Sequence, residues 1–134
     1  MKLGVLAVLA LLWTVPALAG PVEDEAAAAA KTWLAVVDAK NYPESWKDAA
    51  ELFQQGVSEA RWDGMVQDIR NKVGAVKSRE FQTAELTKTL PSMPDGDYAI
   101  VSFQTDFETK GASTEVITLV RKHGKWKVGG YYIN

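Results

Sequence analysis

Arg79 and Glu115 each stand in a predicted strand beside apolar neighbours, a setting in which an unpaired charge is expensive. If the fold brings their strands close, the two can pair, and the planar guanidinium of Arg79 suits a carboxylate bidentately. Such a pair has two readings. It closes one end of a barrel-like sheet, or it leaves Arg79 facing a concave pocket, where it would hold the carboxylate or phosphate of a ligand. Trp126, followed by Tyr131 and Tyr132, supplies aromatic surface for a pocket or for an interface. The expected ligand-binding residues are therefore Arg79, Glu115, Trp126 and Tyr131.

Tyr98 and Asp106 lie eight residues apart on one predicted strand and share a face with Ser102 and Gln104. A polar strip of this kind ordinarily faces solvent. Were it to line a hollow, Asp106 could act as a general base and Tyr98 as a hydrogen-bond donor, which would be isomerase or hydratase chemistry. His123 is the sole histidine, and its place in a His-Gly turn marks it as a turn residue. With one histidine, no cysteine and no acidic cluster at ligand spacing, neither a metal site nor a cofactor is expected. No serine-nucleophile elbow, phosphate loop, dinucleotide fingerprint or zinc-protease motif occurs.

These residues need elements to position them. Glu23 to Ala39 predicts a helix, with Ala26, Ala30, Trp33, Leu34 and Val37 on one face and Asn41 as its stop. A second helix starts near Pro43, carries Trp46, Ala49, Ala50 and Phe53 inward, and ends at Gly56 as a left-handed cap. Ser58 caps a third, whose stripe is Trp62, Met65, Val66, Ile69 and Val73, closing at Gly74.

After Gly74 the period falls from 3.6 to 2, and strands are predicted over Val76 to Leu86, Asp97 to Glu108, Ser113 to Lys122 and Lys125 to Ile133. The second strand puts Ala99, Val101, Phe103, Thr105 and Phe107 on its apolar face. Leu90 to Gly96 is a loop, Lys110-Gly111 and His123-Gly124 are tight turns, and Gly129-Gly130 marks a bulge or bend in the last strand. The expected architecture is α+β: three N-terminal helices packed on a curved, four-stranded antiparallel sheet.

Residues 1–19 read as a signal peptide: Lys2 is the positive start, Leu3 to Val15 the apolar run, and Ala17-Leu18-Ala19 the cleavage pattern. The apolar run is too short to span a bilayer, so no membrane span is expected after cleavage. Residues 20–134 then form a single domain that works in the periplasm or is secreted. The net charge of −2 argues against a nucleic-acid partner, and without cysteine stability must come from packing.

The pattern formed by Trp33-Leu34, Val37-Asp38, Tyr42, Ser45-Trp46, Ala49-Ala50, Phe53, Trp62, Ser78-Arg79, Pro94-Asp95-Gly96, Tyr98, Phe103-x-Thr105-x-Phe107, Glu115, Trp126 and Gly130-Tyr131 resembles the bacterial exported domain-of-unknown-function family numbered 4019. It departs from that family at Lys72, where a proline is expected, and at Ser92, where a glycine is usual. The resemblance implies a bacterial, exported protein but no activity. Its element order is also similar to the cone-shaped fold of nuclear transport factor 2 and its relatives, a fold that hosts enzymes and passive binders alike. The expected function is an exported, non-enzymatic domain that binds a small molecule, peptide or protein through its sheet. The alternatives are the acid–base enzyme using Asp106 and Tyr98, and a module that homodimerises through an aromatic sheet face.

Overall fold

Four helices precede four strands in a computed structural model, which describes residues 20–134. The expected signal peptide, residues 1–19, lies outside the described residues. Helix α1 spans Pro21–Asp38, α2 Tyr42–Lys47, α3 Glu51–Gly56 and α4 Glu59–Val73. Strands β1 (Val76–Thr87), β2 (Asp97–Phe107), β3 (Gly111–Lys122) and β4 (Lys125–Ile133) form one open antiparallel sheet in the order β1-β2-β3-β4.

The expected second helix is two. Nothing local forbids a helix through Asp48-Ala49-Ala50, but Ala50 turns extended (φ −64°, ψ 152°) and its N–H donates to the Val128 carbonyl at 2.7 Å. A tertiary bond to β4 thus breaks the run. Gly56 does not take the left-handed cap expected of it. The left-handed glycines among the described residues are Gly74, Gly111 and Gly124. At the end of α1 the positive φ falls on Lys40 (61°) rather than Asn41. Lys40 and Asn41 donate back to the Val37 and Val36 carbonyls, the paired closure of a Schellman motif.

The α1 stripe packs as read. Ala26, Ala30, Trp33, Leu34 and Val37 are buried against Ala99, Val101 and Phe103 of β2, Ile117 and Leu119 of β3 and Val128 of β4. Alanines at the near end of the stripe let the helix backbone approach the sheet closely. The α4 stripe is narrower than expected. Trp62, Val66 and Val73 are buried, whereas Met65 (46%) and Ile69 (38%) remain exposed. The inward row is Trp62, Val66, Arg70, Val73, so a charge occupies a core position of the helix. Ser58 caps α4 as expected, accepting from the Arg61 N–H at 3.2 Å.

The sheet's helix-facing side is continuous in β2, where Ala99, Val101, Phe103, Thr105 and Phe107 are all buried. The β3–β4 pairing jumps from Thr118↔Gly130 to Leu119↔Val128, so Gly129 is the extra residue of a bulge, as the Gly-Gly pair predicts. The tip of that hairpin has positive φ at both His123 (53°) and Gly124 (75°), the geometry of a type I′ turn.

Candidate functional site

One residue from each strand lines up across the helix-facing side: Arg79 of β1, Thr105 of β2, Glu115 of β3 and Tyr131 of β4. Register sets this row. Arg79 pairs with Thr105, Thr105 with Ser113 two places before Glu115, and Tyr131 with Ile117 two places after it. Side chains two apart on one face of neighbouring strands are within reach of each other.

Two helix ends complete the cluster. Asp38 is the last residue of α1, four residues on from buried Leu34. Arg70 lies in the last turn of α4, four on from buried Val66. Glu115 is fully buried. Its Oε1 accepts from Arg79 Nε at 2.7 Å and from the Thr105 hydroxyl, and its Oε2 accepts from the Tyr131 hydroxyl. The Arg79 fork points at Asp38, with Nη1 to Oδ2 at 2.7 Å and Nη2 to Oδ1 at 3.1 Å. Arg70 Nη2 donates to Asp38 Oδ1 at 2.6 Å, and Nη1 lies 3.5 Å from the Tyr131 oxygen. The Arg70 guanidinium also sits 5.6 Å from the centre of the Phe107 ring. The expected Arg79–Glu115 pair is therefore real, but the bidentate partner is Asp38.

Two guanidinium groups face two carboxylates, so the cluster balances its own charge. Burial works to raise the Asp38 carboxyl, yet the bonds from Arg79 and Arg70 outweigh it and hold the group below its ordinary value. Burial works to lower both arginines, and the bonds from Asp38, with Glu115 also acting on Arg79, push them up instead. Tyr131 is pushed well above the usual phenol range, first by burial and then by the Glu115 charge beside it. A phenol held protonated and two guanidinium ions held charged are poorly placed to exchange protons near neutrality. The cluster's chemistry is to fix geometry: it ties the C-terminal ends of α1 and α4 to all four strands. Asp38 sits at the negative end of the α1 dipole, where an acid is disfavoured, and the two arginines offset that cost. Each nitrogen of Arg79 already donates once, and both of its Nη groups are turned to Asp38.

Trp126 stands at the other end of α1. It pairs with Arg121, which pairs in turn with Asp97. These residues, with Val22, Leu86, Lys88 and Tyr98, line a cleft of about 420 Å³ beside the start of α1. The Arg121 guanidinium lies 5.8 Å from the centre of the Trp126 ring, within cation–π range. Lys88 bonds Asp97, and that bond first of all lowers the Asp97 carboxyl.

The indoles differ in one respect. Trp33 Nε1 donates to the Ser45 carbonyl at 2.8 Å, Trp62 Nε1 to the Ser45 hydroxyl at 2.9 Å, and Trp46 Nε1 to the Val57 carbonyl at 2.8 Å. Trp126 Nε1 is buried without any partner, and it is the only buried side-chain nitrogen or oxygen among the described residues in that condition.

Tyr98 and Asp106 are not brought together. Both lie on the sheet face opposite α1. Tyr98 is buried beneath the 88–96 loop with Ala50, Val120, Leu90 and Met93, and its hydroxyl donates to the Pro94 carbonyl. Asp106 is at the other end of β2, its side chain 43% exposed and 4.0 Å from Lys77. Eight residues of strand separate the two by about 26 Å. His123 is exposed at its hairpin tip. Among the described residues no three His, Cys, Asp or Glu side chains gather where they could hold a metal ion, and no helix is long and apolar enough to cross a membrane.

Asp38, Arg70 and Thr105 were not singled out as site residues from the sequence. The available signal was positional: Asp38 and Arg70 each continue a buried helical stripe by four residues, where an apolar residue would be expected.

A family model described as "Protein of unknown function (DUF4019)" matches residues 29–131, and the chain belongs to that family. It has no match among curated proteins.

Proposed function

We propose that this member of the family is a non-enzymatic binding domain, working in the periplasm or outside the cell, that takes a small amphipathic carboxylate in the cleft beside Trp126. The domain is read as a cone in which α1 lies along the sheet, locked at its Asp38 end and open to a ligand at its Val22 end. The observation that carries this reading is the unpartnered Trp126 N–H. A buried donor left unsatisfied costs roughly 1–3 kcal/mol, and an acceptor oxygen from a ligand that reaches it would remove that cost. Arg121 over the indole supplies the matching positive charge. Val22, Leu86 and the indole face supply apolar surface for the rest of the molecule.

The self-neutralised cluster at the far end supports a binding role over acid–base chemistry, as does the engagement of the Tyr98 hydroxyl by Pro94. Arg79, Glu115 and Tyr131 serve this reading as the frame, and Trp126 as the contact. The test is an NMR titration of the chain with octanoate, following the indole N–H resonances, with Trp126 assigned by its loss in Trp126→Phe. The expected result is a saturable shift centred on the Trp126 resonance, lost in Arg121→Gln. Octanoate shifting no indole resonance, or shifting all of them alike, would remove the support.

A further inference from the structure

On the opposite face of the same hairpin, we infer a second binding site, for a compact phosphate-type polyanion. Lys122 and Lys125 are directly paired across β3 and β4, and Lys127, two residues along, pairs with Val120 on the same face. With His123 at the tip they line a cleft of about 380 Å³, closed on its other side by Ala50, Glu51 and Leu52.

Like charges placed directly opposite in a sheet repel, and cross-strand Cβ atoms there stand only about 5 Å apart. No ion pair among the described residues relieves this repulsion, although Glu51 lines the same cleft. Elsewhere Lys72 meets Asp68, Lys77 meets Asp106 and Lys88 meets Asp97, yet among the described residues no carboxylate lies within 4 Å of Lys122, Lys125 or Lys127. Nor is a general excess of base the cause, since the whole chain carries −2. The residues from 121 to 127 hold Arg121, Lys122, His123, Lys125 and Lys127 and no acid, so an acidic protein concentrates its positive charge at one hairpin.

Lysine ammonium groups are compact point charges on flexible stems. Three of them lining one cleft on one sheet face suit an anion that carries several charges on tetrahedral oxygens, which each ammonium can approach from a different side. A single carboxylate would leave most of that charge unmatched. Arg121 and Trp126 belong to the helix-facing side, so this site is separate from the carboxylate cleft.

Pyrophosphate is the probe, titrated calorimetrically into the full chain at two salt concentrations, with Lys122→Gln/Lys125→Gln/Lys127→Gln as the test variant and Lys31→Gln, exposed on α1, as the control. Binding by the parent and by the control, weakening as salt rises and at least tenfold weaker in the triple variant, is the expected result. Relief of the repulsion should also leave the unliganded triple variant at least as heat-stable as the parent, which separates loss of the site from loss of the fold. Pyrophosphate should raise the melting temperature of the parent and not that of the variant. No binding by the parent, or equal binding by parent and triple variant, overturns the inference. Sedimentation with vesicles of phosphatidylglycerol against phosphatidylcholine distinguishes the sources of the phosphate. Co-sedimentation with the anionic vesicles alone, competed by pyrophosphate, assigns the site to a lipid headgroup, and pyrophosphate binding without co-sedimentation assigns it to a free oxyanion.

Discussion

Replacing Glu115 with glutamine changes one oxygen to an amide nitrogen in a fully buried side chain, and the geometry leaves that nitrogen no acceptable position. Three donors converge on the carboxylate: Arg79 Nε and the Thr105 hydroxyl on Oε1, and the Tyr131 hydroxyl on Oε2. Turned toward Arg79, the amide sets N–H against N–H. Turned toward Tyr131, it makes the phenol an acceptor, and the phenol proton loses its partner. In either orientation the cluster passes from two positive and two negative groups to an uncompensated positive charge. Breaking a buried pair by removing one partner costs about 3–5 kcal/mol, and Arg79, with its side chain 16% exposed, has little water to fall back on. For a domain of this size that is a fall in melting temperature of about 12–20 °C. Thermal melts followed by circular dichroism measure it. Adding Arg79→Met should restore part of the loss, because the excess charge leaves with the arginine. A Glu115→Gln protein that melts within about 2 °C of the parent would refute the argument, and would return Arg79 and Glu115 to consideration as residues waiting for a ligand.

Gly74→Ala should destabilise by about 2–4 kcal/mol in urea melts, since the residue has φ 83° and an added Cβ would lie 2.7 Å from Thr109 Oγ1 and 2.9 Å from Thr109 N; a cost under 1 kcal/mol would mean that the turn after Phe107 yields freely. Ser92 stands in left-handed backbone (φ 62°) at the position where the family resemblance implies glycine, so Ser92→Gly should stabilise by about 0.5–1 kcal/mol, and a loss of stability would contradict that. Tyr131 carries a phenol pushed above its ordinary value of 10.0, so its contribution is intact below pH 10, where folded and unfolded chains both keep the proton. Above pH 10 only the unfolded chain releases it, and stability should fall by about 1.4 kcal/mol per pH unit from this group. Urea melts between pH 9 and 11 should show a shallower fall in Tyr131→Phe, and an unchanged slope would refute the assignment.

The parts of this fold that were legible in the sequence are those in which local pattern and tertiary packing agree. The α1 stripe reads directly because Ala26, Ala30, Leu34 and Val37 repeat at helical spacing and nothing elsewhere opposes them. The alternation of β2 reads for the same reason, with Val101, Phe103 and Phe107 inward. The break between α2 and α3 was not legible, because Asp48-Ala49-Ala50 favours helix locally and yields only to the bond between Ala50 and Val128, some eighty positions away. Met65 and Ile69 read as core for being apolar, whereas Arg70 beside them holds the inward position.

The same reasoning explains what was readable of the site. Arg79 and Glu115 could be paired from sequence because an isolated charge in an apolar strand demands a counter-charge, but that demand does not say how many partners answer it. Asp38 and Arg70 answer it from helix ends, positions where a charged residue ordinarily reads as a solvated terminus. What distinguishes them is that each completes a buried stripe at i+4, Leu34 to Asp38 and Val66 to Arg70. A charge in phase with a buried stripe is therefore as informative as a charge in a strand. Trp126 shows the opposite limit. Its type marked it as pocket or interface surface, but an indole that finds an acceptor and one that does not are identical in sequence. Only the placement of Ser45 and Val57 against Trp33, Trp62 and Trp46 makes the unanswered donor of Trp126 visible, and it is this difference in satisfaction, more than aromatic character, on which the proposal of Trp126 as a ligand contact rests.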